Sequence, residues 1–226
     1  MTHIITAMSR ERWMFVPLHV DSEAHAQHSK IAPPEVWRTR VEDMKLAISY
    51  AWHRLGSETQ IVAAGHSYGA LVAQALGGAT VFGQEVREPR VSTIVAISPP
   101  GPIPNFVSAE DWAKIAVPML VTTGTADVLP MIAPTWQAHL ASFTATRVPR
   151  SAAWVGREVD HYFGQMIQRL ARHAPNQKSQ FDAAMYIVDR YIGAIAETLK
   201  NDLAWFSGNG PIRSFPMQSE SFDWKG

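Results

Sequence analysis

Three residues stand in an order and a setting that could cleave an acyl group: Ser67, Asp127 and His161. Residues 65–69 read Gly65-His66-Ser67-Tyr68-Gly69, behind the apolar run Ile61-Val62-Ala63-Ala64 and ahead of a helix-forming stretch, Ala70 to Leu76. Gly-x-Ser-x-Gly at a strand-to-helix junction places a serine on a sharp, strained turn with its hydroxyl exposed, and both flanking glycines are expected to be needed because a larger side chain would clash there. The following helix aims its amide N–H groups at the space above the serine, where negative charge develops during acyl transfer. A serine hydroxyl is a poor nucleophile at neutral pH and needs a base within hydrogen-bond reach. Histidine suits that task, and a carboxylate must hold its tautomer and stabilise the imidazolium.

The partners are sought at strand ends, because the chain alternates short apolar runs with amphipathic stretches. Thr93 to Ile97, Met119 to Thr122 and, more weakly, Ala152 to Val155 predict strands, and Met14 to Leu18 predicts a short one. Glu35 to Leu55 predicts a helix, with Trp37, Val41, Met44, Ile48, Trp52 and Leu55 at helical spacing. Thr2 to Trp13, Tyr68 to Gly78, Phe163 to Arg172 and Phe181 to Trp205 predict others. Near-continuous apolar strands separated by helices indicate an α/β fold with a mostly parallel sheet of about five strands, covered on both faces. Sites in such sheets lie at the carboxyl ends of the strands. Asp127 follows the strand at 119–122 through Gly124-Thr125-Ala126, and His161 follows the strand at 152–155 through Gly156 to Asp160. Taken singly, such an aspartate usually caps a turn and such a histidine is usually a surface or hydrogen-bonded core group. Placed after successive strands in the order Ser, Asp, His, the three support one another. Asp160 and Glu158 are competing carboxylates; neighbours on a loop seldom point at one another, which favours Asp127 over Asp160.

Gly-His-Ser-Tyr-Gly, Gly-Thr-Ala-Asp and Asp-His-Tyr-Phe-Gly resemble three motifs of the α/β-hydrolase superfamily. The chain is similar to bacterial enzymes related to dienelactone hydrolase and to platelet-activating-factor acetylhydrolase-like serine esterases, in layout over about residues 10 to 205. The resemblance implies Ser67 as nucleophile, His161 as base and then acid, Asp127 as its orienting carboxylate, and the backbone N–H of Tyr68 as one oxyanion donor. It implies hydrolysis of a carboxylic ester of a small or medium-sized molecule, with no cofactor and no metal. Dienelactone hydrolase uses a cysteine nucleophile, whereas this chain offers serine. His66, Pro99, Val128, Leu129 and Tyr162 follow or end strands and are candidates for the wall of a substrate pocket.

The chain departs from that family at its start. The family carries strands and a glycine-rich loop ahead of its first helix, and that loop supplies the second oxyanion N–H. Here Thr2 to Trp13 already predicts that helix, with no glycine pair before it, so the fold is expected to be N-terminally shortened. Three explanations stand: a start further upstream, which is favoured; closure of the 14–18 strand onto the 61–64 strand; or a second copy of the chain covering the exposed edge as a homodimer. The departure also leaves open a catalytically impaired or non-catalytic binding protein on the same fold.

The remaining composition sets bounds. The 226 residues suit one domain, expected over 1–207, with a loosely structured tail over 208–226. Lys plus Arg equals Asp plus Glu at 20 each, giving none of the basic surplus that nucleic acid or an anionic membrane calls for. With no cysteine, disulfides, thiolate metal sites and a cysteine nucleophile are excluded. No long apolar run and no basic-then-apolar leader is present, so the chain is expected in the cytoplasm. His19, Asp21, Glu23, His25 and His28 crowd one loop, which reads as a polar strand-end loop rather than a metal site.

Overall fold

Strand β1 (Ile61–His66) and helix α2 (Tyr68–Leu76) meet at Ser67, and the rest of the fold is arranged around that junction. The computed structural model describes residues 13–16, 33–163, 177–198 and 219–225. In chain order, α1 (Pro33–Leu55) precedes β1 and α2, and a small hairpin follows, β2 (Thr80–Val81) with β3 (Gln84–Glu85). Then come β4 (Val91–Ile97), α3 (Ala109–Trp112), β5 (Met119–Gly124), a 3-10 turn (Trp136–Leu140) running into α4 (Ala141–Ala145), β6 (Ala152–Gly156), α5 (Gln177–Thr198) and β7 (Ser219–Trp224).

The main sheet has the order β1-β4-β5-β6-β7. Its first four strands are parallel and the last is antiparallel to β6. Side chains of successive residues point to opposite faces of a strand, and both faces here are covered. Ile94, Ala96, Met119, Val121 and Ala153 join the core beneath α1 and α2, which bring Trp37, Val41, Ile48, Leu71 and Leu76. Val95, Ile97, Leu120 and Trp154 join a second core against α5, whose Phe181, Met185, Val188, Ile192 and Ile195 recur at helical spacing. Strands buried on both sides must be apolar throughout, and this is why they read as continuous runs.

Three expectations are revised. Residues 13–16 carry no strand, and the remainder of the 14–18 run lies outside the described residues. Trp13 and Phe15 pack against the α5-side core while Met14 and Val16 are exposed, an alternation that an unpaired extended segment also produces. Consequently β1 is an edge of the sheet among the described residues. Leu55, expected in the core, is 47% exposed at the end of α1. The tail expected over 208–226 ends in an ordered strand: β7 pairs with β6 from Ala152↔Trp224 to Gly156↔Ser219. Lys225 extends that join, its backbone N–H bonding Ser151 and its carbonyl accepting from Arg150 N–H. The helices expected at 2–13 and 163–172 fall almost wholly outside the described residues, as does the segment 199–205 expected to extend α5. No helix among the described residues is long and apolar enough to cross a membrane.

Candidate active site

Ser67 takes φ 54° and ψ −119° between β1 and α2. A non-glycine residue there stores roughly 1–3 kcal/mol of backbone strain, which the surroundings must hold in place. Two of the bonds that hold it are from Ser67 N–H to the Ile97 carbonyl on the neighbouring strand (2.9 Å) and from Ala70 N–H to the Ser67 carbonyl (3.0 Å). The turn is so tight that a Cβ on Gly65 would strike the carbonyl of Gly69 and come within 2.7 Å of Ala70 N. Gly69 differs from the expectation: a Cβ there meets nothing within 4 Å. The pentapeptide thus needs its first glycine for space and does not need its second. Tyr68 is the first residue of α2, so its N–H belongs to the first helical turn, where no intrahelical carbonyl is available.

Asp127 and His161 arrive on two loops that are sewn together. Beyond β5 and β6, Thr125 N–H bonds the Gly156 carbonyl (2.9 Å) and Ala126 N–H bonds the Val159 carbonyl (3.0 Å). Glu158 N–H bonds Thr125 Oγ1 (2.7 Å). Gly124 lets Val159 lie directly on β5, since a Cβ there would overlap the Val159 side chain and carbonyl. These links fix the separation of the two functional groups. His161 Nδ1 lies 2.8 Å from Asp127 Oδ1, and its Nε2 lies 3.0 Å from Ser67 Oγ. Thr123 Oγ1 donates to Asp127 Oδ2 at 2.8 Å. The ionised carboxylate only accepts, so it sets the proton on Nδ1 and leaves the Nε2 lone pair facing the serine hydroxyl. The rejected carboxylates are placed elsewhere: Asp160 accepts from Tyr162 N–H (3.0 Å), and Glu158 is exposed.

The other predicted site residues divide. His66 and Tyr162 flank His161, with ring centroids 4.8 and 4.9 Å from its own. His66 Nε2 donates to the His161 carbonyl at 2.7 Å and so steadies the loop that carries His161. Pro99 is buried, and its carbonyl meets a histidine that the sequence reading did not single out, His139. Val128 is 44% exposed and Leu129 bonds through its N–H to Ala133, so the two shape a surface turn rather than the hydrogen-bonded centre. His139 sits on the 3-10 turn, and its Nε2 is 2.8 Å from Asp127 Oδ1. It stands away from any strand end, and nothing in the sequence from Thr135 to Leu140 distinguishes it from a surface histidine.

Asp127, His139 and His161 are the one trio of potential metal ligands found among the described residues, their ligand atoms all within 4.8 Å of one another. The 2.8 Å separation of His161 Nδ1 from Asp127 Oδ1 is that of a hydrogen bond, whereas His139 Nε2 comes as close without the alignment of one. The crowded loop of His19, Asp21, Glu23, His25 and His28 lies outside the described residues.

Electrostatics in the centre follow from burial and close partners. Burial opposes ionisation of Asp127, but hydrogen bonds from His139 and His161 outweigh it and hold the carboxyl well below the usual carboxylate range. Burial first, and then the charge of His161, pull His66 from its ordinary 6.5 to about 4. Between those two pH values the unfolded chain takes up a proton at His66 and the folded chain does not, so stability falls as pH drops through this window. The contribution of Asp127 is present above the unfolded carboxylate value of 3.8 and is lost only below it. His66→Gln can still donate to the His161 carbonyl but cannot titrate. Its urea midpoints at pH 6.5 and 4.5 should lie closer together than those of the wild type; an equal spread in both proteins would assign the slope to another group.

The sequence matches the Alpha/beta hydrolase family over residues 8–211. No curated protein matches it significantly. Among solved structures, the esterase domain of a Rhodothermus marinus protein aligns with a TM-score of 0.44 at 17% identity, covering 69% of this chain and 67% of that one. A putative dienelactone hydrolase from Klebsiella pneumoniae subsp. pneumoniae aligns with a TM-score of 0.47 at 14% identity, covering 75% of this chain and 67% of that one.

Proposed function

The chain belongs to the alpha/beta hydrolase family, and from that premise we propose that it is a serine hydrolase cleaving a carboxylic ester of a small or medium-sized molecule. The observation that carries this reading is the unbroken line from Ser67 Oγ to His161 Nε2 (3.0 Å) and from His161 Nδ1 to Asp127 Oδ1 (2.8 Å). Ser67 Oγ attacks the ester carbonyl carbon as its proton passes to His161 Nε2. The carbonyl oxygen gains negative charge, which the Tyr68 N–H at the start of α2 is placed to stabilise. Collapse of the tetrahedral species breaks the bond to the leaving alcohol, which takes the proton from His161. Water then repeats the sequence on the acyl-enzyme, returning Ser67 and releasing the acid.

The strained backbone at Ser67 belongs to the same reading. Strain at a nucleophile keeps the hydroxyl out of the helix and aimed at the base, and it is retained only where the surroundings over-determine it. The test pairs a fluorophosphonate probe with short-chain p-nitrophenyl esters, alongside amide and thioester analogues. One equivalent of label and ester turnover are expected, both lost in Ser67→Ala with the thermal melt preserved. A folded wild type that takes no label and turns over none of the esters would sink the proposal and point to a protein that binds without cleaving.

A further inference from the structure

The serine-to-aspartate line leaves one contact on Asp127 unexplained. His139 Nε2 approaches Oδ1 to 2.8 Å, and both side chains are fully buried. The approach is bent rather than in line, which makes it foremost an ionic contact. On the far side of the ring, Nδ1 lies 2.5 Å from the Pro99 carbonyl oxygen. A carbonyl only accepts, so Nδ1 carries a proton. If Nε2 carried none, its lone pair would face an ionised carboxylate inside a dry core, where repulsion is little screened. An acceptor stands against each nitrogen: a proton on Nδ1 is hydrogen-bonded to the Pro99 carbonyl, and one on Nε2 turns repulsion into an ionic contact with Asp127.

We infer that His139 is held as a second, cationic imidazole on the catalytic carboxylate, and that it is a positioning residue for the reaction. The inference rests on the serine-hydrolase reading of Ser67, His161 and Asp127. His139 ties two strand-end connections together: the β5–β6 connection, which carries both Asp127 and the turn of His139 itself, and the one after β4, which carries Pro99. Loss of that tie lets Asp127, and with it the His161 ring, turn away from Ser67. It also shares the charge of Asp127. The titratable groups facing His139 are Asp127, His161, with ring centroids 5.7 Å apart, and His66, which feels the charge of His139. When His161 takes the serine proton, two cations stand on one carboxylate. The charge of His139 bears on the same carboxylate oxygen as His161, so its removal is expected to register in the pH dependence of the reaction.

Two variants separate the parts. His139→Phe removes both polar contacts and should lower kcat roughly 10- to 100-fold, the scale of a small misplacement of a catalytic group, with KM little changed. His139→Gln keeps a donor near the position of Nε2 without the charge. It should recover much of kcat, while the acid limb of its kcat/KM profile still moves. Rates are corrected for the fraction of sites that a fluorophosphonate titrates. Profiles of both variants that overlay the wild type would overturn the inference, and so would a loss of kcat with no movement of the acid limb. If both variants fail to fold, the wild type decides. In ¹⁵N-histidine-labelled protein at neutral pH, the His139 ring, assigned through its own carbons, should show two slowly exchanging N–H protons, and a single one would overturn the inference. That count needs no substrate, so an inactive wild type would defeat the esterase reading without touching it.

Discussion

Asp127→Asn should lower kcat for ester hydrolysis about 10⁴-fold, as loss of a triad carboxylate does, and leave the fold standing. That factor corresponds to about 5.5 kcal/mol. A net hydrogen bond is worth only about 0.5–1.5 kcal/mol, so one lost bond does not account for it; what is lost is the charge that holds the His161 tautomer and stabilises its imidazolium. Asparagine fills the same space, although His139 loses its counter-charge and some stability with it. An asparagine oxygen can accept from His161 Nδ1 where Oδ1 does now, and its amide can donate to Thr123 Oγ1, which now donates to Oδ2. Stopped-flow acylation and a thermal melt would check both halves. Asp160→Asn is the control, since Asp160 is occupied by the Tyr162 N–H and should matter little. A deep loss in Asp160→Asn with a mild one in Asp127→Asn would reassign the carboxylate.

Gly65→Ala should cost more than about 4 kcal/mol of stability, a size reserved for a few severe lesions. The added Cβ meets only backbone, the Gly69 carbonyl and Ala70 N, and backbone cannot swing aside as a side chain does. To make room, α2 must shift, yet Ala70, Leu71, Ala73, Ala75 and Leu76 are all fully buried. Typical domains have about 5–15 kcal/mol in total, so the variant should be largely unfolded or insoluble at growth temperature. Gly69→Ala should behave in the opposite way. It adds a methyl where nothing lies within 4 Å, inside a helix, and should gain about 0.5–1 kcal/mol. Urea unfolding of the pair tests the asymmetry; equal damage at both positions would show that the turn is not packed as described.

What could be read in the sequence was whatever burial writes into it. The strands at 91–97, 119–124 and 152–156 are covered on both faces, so each shows as an apolar run. Helix α5 turns one face to the sheet, and its spacing shows it. That Ser67, Asp127 and His161 meet was legible because all three residues stand just beyond strand ends, where a parallel sheet gathers its loops. His139 was not, because its link to Asp127 is made by folding and leaves no periodic trace. Strand β7 was missed for a related reason: an edge strand is held through backbone groups that every residue carries, and Ser219 to Trp224 contains no apolar run. The Thr80–Glu85 hairpin has strands of two residues, too short to show a period. Gly69 was over-read, since the motif does not distinguish a glycine needed for space from one that is merely tolerated.

The pairing of β6 with β7 sets an order of events during synthesis. Strand β6 leads into the loop that carries His161, and among the described residues its outer edge is closed by 219–224. Between the emergence of Gly156 and that of Trp224 a ribosome works for on the order of 3 to 14 s at 5–20 residues per second. Throughout that interval β6 has an open edge able to accept a strand from any neighbouring chain. Nascent chains on one message are such neighbours, held close at high local concentration. Expression yield should therefore respond to the rate at which the last stretch is translated, and rare codons placed between 156 and 219 should increase aggregation without altering a single residue.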